Sequence, residues 1–228
     1  MEQIAYFQGR DDVTYIKTDS VGLTCSRNIA LENFNADVGL ISDDDVEFMD
    51  DIYHKIVNEY NGKAGIKLFK IIISNDTRDF RLYPEGNKKY SKIDLLKVCS
   101  IEITFSKDVV DKGLRFDERF GIGGEFICGE ESVFLKKAYD LNISIDYINI
   151  PIAYHQEYST ATGIVTDKIL EAKGAVYNVI FGSVFSLVFI FRLSFLSKFA
   201  EDNHLNKKKL LKGLMNGRRK VLRSNTLL

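Results

Sequence analysis

Three adjacent carboxylates, Asp43, Asp44 and Asp45, follow the apolar run Val38-Gly39-Leu40-Ile41 in this 228-residue chain. Like charges on neighbouring residues repel, so such a cluster is costly unless a cation compensates it. Hard divalent cations such as Mg²⁺ and Mn²⁺ choose oxygen ligands. In an open α/β sheet, ligands collect at the carboxyl ends of strands. The triplet therefore suits a site for a metal and a diphosphate, and a solvated acidic loop is the plain alternative. A second acidic group, Gly129-Glu130-Glu131-Ser132, lies further on. A helix dipole favours carboxylates in a first turn in any protein, but a Glu here could also act as general base toward a hydroxyl.

Two further signals are weaker alone. His155 closes the apolar stretch Ile152-Ala153-Tyr154; a lone His is more often structural, yet a neutral imidazole at a strand end can bind a metal or a diphosphate. Ser26-Arg27-Asn28 opens a helical stretch. Arginine clamps phosphate bidentately, and a helix N-terminus adds donors for an anion. The run Gly121-Ile122-Gly123-Gly124 would let backbone approach a ligand, although it departs from the GxGxxG fingerprint.

The elements that must position these residues alternate. Strands are expected at Val13 to Ile16, Val38 to Ile41, Ile66 to Ile73, Ile101 to Phe105 and Ile143 to Ile150, the last ending at Pro151. The second reads as buried on both faces, and Ile101 to Phe105 as half-buried. Helices are expected at Ser26 to Phe34, Asp50 to Tyr60 (with Ile52, Ile56 and Val57 inward), after a capping Ser106, and at Gly129 to Leu141 with Phe134, Leu135 and Ala138 inward. Ser74 to Lys92 reads as a long polar loop. The alternation argues for an α/β fold with a mainly parallel sheet flanked by helices.

Gly174 to Phe191 is eighteen residues without a charge. As one helix it would measure about 27 Å, at the lower edge of a membrane span. From Arg192 onward ten Lys/Arg face two acidic residues, a local balance of +8, so the preceding residues carry −9. An apolar helix followed by basic ones suits an anionic membrane surface, with in-plane binding preferred over spanning. A buried core helix or a homo-oligomer interface are the alternatives. No nucleic-acid partner is expected. Cys25, Cys99 and Cys128 are odd in number and lack ligand spacing, so neither a disulfide framework nor a zinc site is supported. With no basic or apolar leader after Met1, a cytoplasmic location is expected.

Taken in order, these segments resemble the family 2 glycosyltransferases of GT-A (Rossmann-like) fold. Gly22-Leu23-Thr24-Cys25-Ser26-Arg27-Asn28-Ile29-Ala30 resembles a G-L-S-x-x-R-N-x-A segment, and Ser42-Asp43-Asp44-Asp45 the DxD strand end. Leu114 to Gly121 and Gly129-Glu130-Glu131-Ser132 resemble the acceptor-side loop and the "GED/GEE" helix, with His155 following. The resemblance implies a glycosyltransferase domain over 1–160, begun after the family's first β-α-β unit, and a helical, membrane-associating region over 161–228. It implies that Asp43 and Asp45 hold Mn²⁺ or Mg²⁺ with help from His155. Arg27, Asn28, Asp43 and Asp44 would meet the nucleotide-sugar donor, a UDP- or GDP-sugar. Glu131 would be the base of an inverting transfer, ahead of Glu130, and the acceptor a glycan or a lipid-linked hydroxyl. The chain would then lie against the inner face of the cell membrane. The alternative is an inactive remnant serving as a membrane-associated scaffold. A nucleotidyltransferase would need a Gly- and Lys-rich phosphate loop that this chain does not show.

Overall fold

The computed structural model describes residues 10–74, 77–156 and 165–225. In chain order these form α1 (Leu23–Glu32), β1 (Val38–Leu40), β2 (Glu47–Phe48), α2 (Ile52–Tyr60), β3 (Ile66–Ile73) and β4 (Lys88–Lys89). There follow β5 (Ile103–Ser106), α3 (Lys107–Asp111), α4 (Glu130–Asp140), β6 (Ile145–His155), α5 (Asp167–Phe191), α6 (Phe199–Asp202) and α7 (Lys207–Asn225). The proposed boundary between residues 160 and 161 lies outside the described residues.

The strand order is β1-β5-β3-β6-β2, with β4 also on β6. Among the strands of the described residues, β3 and β6 pair in parallel and the other strand pairings are antiparallel. The sheet is therefore mixed, which corrects the mainly parallel expectation. Periodicity reports which face of a strand is buried and carries no sign for its direction. The apolar run of β3 does sit at the centre, and helices cover both faces. Phe134, Leu135 and Ala138 of α4 pack with Leu68, Ile103 and Tyr147 on one side. Ile56 and Tyr60 of α2 pack with Phe69, Ile71 and Ile152 on the other, while Val57 turns outward.

Several boundaries move. Val13 to Ile16 forms no strand. β1 is a three-residue edge strand rather than a doubly buried one. β6 does not stop at Pro151 but runs through it to His155. The register slips there, from Phe69 opposite Ile148 to Lys70 opposite Pro151, and such an irregularity is where a sheet tolerates a residue without an N–H. Ser106 stands at the N-cap of α3, but its hydroxyl serves Gly65 instead, accepting from the amide at 2.8 Å and donating to the carbonyl at 3.2 Å.

The apolar C-terminal stretch is bent. Gly182, at φ 76° and ψ 175°, breaks α5 into two arms, a backbone state that glycine reaches without strain. Phe189 returns to stack on Phe181 with centroids 3.7 Å apart, and its ring lies 6.2 Å from Tyr177. In one straight helix residues twelve apart stand about 18 Å away from each other. The arms therefore run side by side as a hairpin, and the 27 Å rod expected from the composition does not form. Nor is this region a free tail. Ala172, Ala175 and Val176 of the first arm share a core with Phe120, Phe126, Val133 and Val221. The crossing of α5 and α7 is close because a Cβ on Gly217 would lie 1.7 Å from the Glu171 carbonyl oxygen.

Candidate active site

Arg27 lies at the centre of the acidic residues, presented by α1. The start of α1 is set by the glycine run, because Leu23 N–H donates to the Ile122 carbonyl at 2.9 Å. A Cβ on Gly123 would stand 2.7 Å from the Gly22 Cα. The glycines thus let two stretches of backbone meet. Asn28 completes the clamp: its side chain accepts from Phe116 N–H at 2.8 Å and donates to the Phe116 carbonyl and to Glu118. The Asn28 amide is buried and spent on structure.

Held this way, the Arg27 guanidinium reaches three carboxylates. Nη2 is 3.1 Å from Asp43 Oδ1, and Nη1 is 3.4 Å from Glu131 Oε1 and 3.6 Å from Glu130 Oε1. One positive charge faces three acids. Glu130 is buried, and its second oxygen has no hydrogen-bond partner. Burial, followed by the charge of Glu130, pushes the Glu131 carboxyl up to about 8, with Arg27 pulling the other way. A carboxyl poised near neutrality can take a proton from a substrate and release it again.

The other oxygen of Asp43 accepts from the Ser100 hydroxyl at 2.8 Å. Ser100 belongs to a 3₁₀ turn, Ser100–Glu102, and Glu102 in that turn is fully buried. A half-buried strand over residues 101 to 105 would point Glu102 to solvent. Instead Arg81, from the supposed polar loop, meets it with bonds of 2.7 and 2.6 Å, and the Tyr83 hydroxyl donates at 3.2 Å. Burial raises the Glu102 carboxyl, and the guanidinium offsets this. Neither Ser100 nor the Arg81–Glu102 pair carries a local signal, since each matters only through a distant partner. Burial, and after it the charge of Glu102, also raises the neighbouring Cys99 thiol, so Cys99 is a neutral side chain rather than a nucleophile.

Asp45 and His155 form a second pair, with Oδ1 3.4 Å from Nε2. The imidazole is buried between this contact and the edge of Phe80. Its Nδ1 lies 2.7 Å from the Gln156 carbonyl oxygen. A carbonyl only accepts, so Nδ1 carries the proton and Nε2 is directed at Asp45. This is the arrangement of a metal-binding histidine, whose second nitrogen donates to a carbonyl. Among the described residues no group of three or more His, Cys, Asp or Glu side chains is placed to hold a metal. Asp45 and His155 fit a cation that arrives with part of its coordination supplied by a phosphate, as Mg²⁺ commonly does. Asp43 is held by Arg27 and Ser100 and is not gathered with them. Asp44 is exposed.

No protein-family model matches the sequence, and no curated protein matches it. Solved structures do. A Staphylococcus aureus TarS fragment, residues 1–349, superposes on 98% of this chain with TM-score 0.55 and 16% identity. A longer S. aureus TarS chain superposes on 87% with TM-score 0.51, again at 16% identity. TarS is a glycosyltransferase. The fold of this chain is like that of these TarS chains. This chain spans 60% of the first TarS chain and 34% of the second. At that identity the likeness speaks for the fold, and the chemistry rests on the residues above.

Proposed function

We propose that this chain transfers a sugar from a UDP- or GDP-sugar to a hydroxyl of a glycan or lipid-linked acceptor, in one inverting displacement. The observation that carries the reading is the convergence at Arg27 of the strand-end Asp43, sixteen residues away, and Glu131, 104 residues away, with Glu131 poised near 8. The acceptor O–H proton passes to the Glu131 carboxylate as the oxygen bonds to the anomeric carbon. The bond from that carbon to the diphosphate breaks, and its electron pair leaves with the phosphate. A divalent cation, when bound, would supply charge compensation to the departing diphosphate. Asp45 and His155 would hold it, with phosphate oxygens supplying the rest of a set suited to Mn²⁺ or Mg²⁺. Arg27 keeps Asp43 and Glu131 in register and lies at hand for phosphate oxygens, which match a guanidinium better than a single carboxylate does.

Titration of the protein with UDP and GDP, with and without Mn²⁺, tests this directly. Metal-dependent nucleotide binding that disappears in Asp45→Ala is the expected result, together with slow donor hydrolysis lost in Glu131→Gln. Absence of nucleotide binding in the presence of Mn²⁺ would overturn the donor site. Unchanged hydrolysis in Glu131→Gln would overturn the base.

A further inference from the structure

We propose that the second arm of the α5 hairpin is a lipid-docking surface that lies in the plane of an anionic bilayer. By length and composition Asp167–Leu196 is apolar enough to cross a membrane. The bend at Gly182 changes what that composition can do. The arm beyond it, 183–191 continued by the π-helical turn Arg192–Leu196, is about 20 Å long, some two-thirds of the hydrocarbon thickness of a bilayer. Its inner residues are satisfied by protein: Ser186 and Ile190 are fully buried, and Ile190 packs with Leu170, Leu210 and Leu214. Its outer residues are not. Val184 is 73% exposed, Phe185 67%, Val188 60% and Phe191 56%, and Leu196 at the end of the π-helical turn is 83% exposed. Positions 184, 188 and 191 recur at helical spacing, with 185 beside them, so they form one stripe.

The charge around the stripe identifies the partner. Arg192 lines one concavity with Leu187, Val188, Phe191 and Leu196, and exposed Lys198 follows. α7 runs antiparallel beside the same arm, since Leu210 meets Ile190 while Arg218 bonds Ser183 and Ser186. That helix holds eight Lys/Arg and no acid. Glu201 and Asp202 follow in α6, and Lys207, Lys209 and Lys220 pair with Glu201, Asp167 and Glu171, so the excess positive charge is carried by Arg192, Lys198 and the remaining cations of α7. An apolar stripe on a short helix beside such an excess matches an acyl boundary beneath anionic headgroups. A protein partner would need both an apolar and an acidic face. The docking surface stands independently of the donor-site reading.

The chain contains no tryptophan, so Phe185→Trp installs a sole reporter in the stripe. With vesicles of phosphatidylcholine and phosphatidylglycerol, its emission should shift to the blue and be quenched by brominated acyl chains. Phe185→Ser with Phe191→Ser should lower the vesicle partition coefficient about 30-fold. Arg192→Gln with Lys198→Gln should lower it about tenfold on anionic vesicles and leave it unchanged on pure phosphatidylcholine. Circular dichroism and thermal unfolding confirm that each variant is folded; both phenylalanines are exposed, and the reporter variant needs no truncation. Wild-type protein that stays with the soluble fraction, an indole that remains unquenched, or a double-serine variant that partitions like wild type each overturns the proposal. So does sedimentation showing a dimer that both serine substitutions dissolve, because the stripe would then be covered by a second copy.

Discussion

Glu131→Gln separates the chemistry of the site from its architecture, because the substitution removes a charge and almost nothing else. Gln keeps the side-chain volume and a carbonyl oxygen that can still accept from Arg27 at the position of Oε1, 3.4 Å from Nη1. It removes a carboxyl that burial and Glu130 have raised from 4.5 to about 8. A carboxyl raised on folding holds its proton in the native state where the unfolded chain has lost it. Stability from this group is therefore greatest below pH 4.5 and falls as the pH climbs toward and through about 8. At about 1.4 kcal/mol per pKa unit, the wild type loses up to ~3 kcal/mol between pH 5 and pH 8 through this group. A glutamine has no such slope.

The variant should accordingly match the wild type near pH 5 and exceed it at pH 8 by up to ~3 kcal/mol, or ~8 °C in Tm for a chain of this size. Urea unfolding at the two pH values, read by circular dichroism, measures it. The same variant should bind nucleotide normally and lose turnover by ~10²-fold or more, as expected for a missing general base. Wild-type turnover should rise with pH as Glu131 ionises. Parallel pH slopes for variant and wild type would refute the raised carboxyl, whatever the activity. Retained turnover would refute the base. A more stable but inactive protein is the signature of a residue kept at the expense of the fold.

Three other outcomes follow from single contacts. Asp45→Asn and His155→Ala should each weaken Mn²⁺-dependent UDP binding by roughly 10- to 100-fold in calorimetry, with metal-free binding unchanged, and a chelator should mimic both. Arg81→Met leaves Glu102 buried without its counter-charge, so unfolding should cost ~3 kcal/mol less; Arg81→Met with Glu102→Leu should recover much of that, and a double variant as weak as the single one would refute the pairing argument. Gly129→Ala forces a side chain onto φ 95°, where its Cβ would stand 2.3 Å from Val176 Cγ2; Tm should fall, and turnover should fall with it, because Glu130 and Glu131 start the helix at that residue.

What could be seen in the sequence, and what could not, divides along one physical line. Features belonging to a single segment were legible: the apolar run that became the central β3, the inward stripe Phe134, Leu135 and Ala138, and the order of Arg27, Asp43, Glu131 and His155 along the chain. Features belonging to a pair were not. β1 pairs antiparallel at an edge although its residues read like a buried parallel strand, because direction is decided by the neighbour. Glu102 looked solvated until Arg81 arrived from a loop, and Asp45 looked equivalent to Asp43 until His155 claimed one and Arg27 the other. The hairpin is the sharpest instance. Composition treated Gly174 to Phe191 as a rod, yet one glycine at φ 76° converts a membrane-spanning length into a short arm with one buried and one exposed face. The same region reaches α4, since Gly129 abuts Val176 and the first arm of α5 shares a core with Val133 of α4. The helices that look like an appendage in the sequence therefore brace the start of α4, where Glu130 and Glu131 are held.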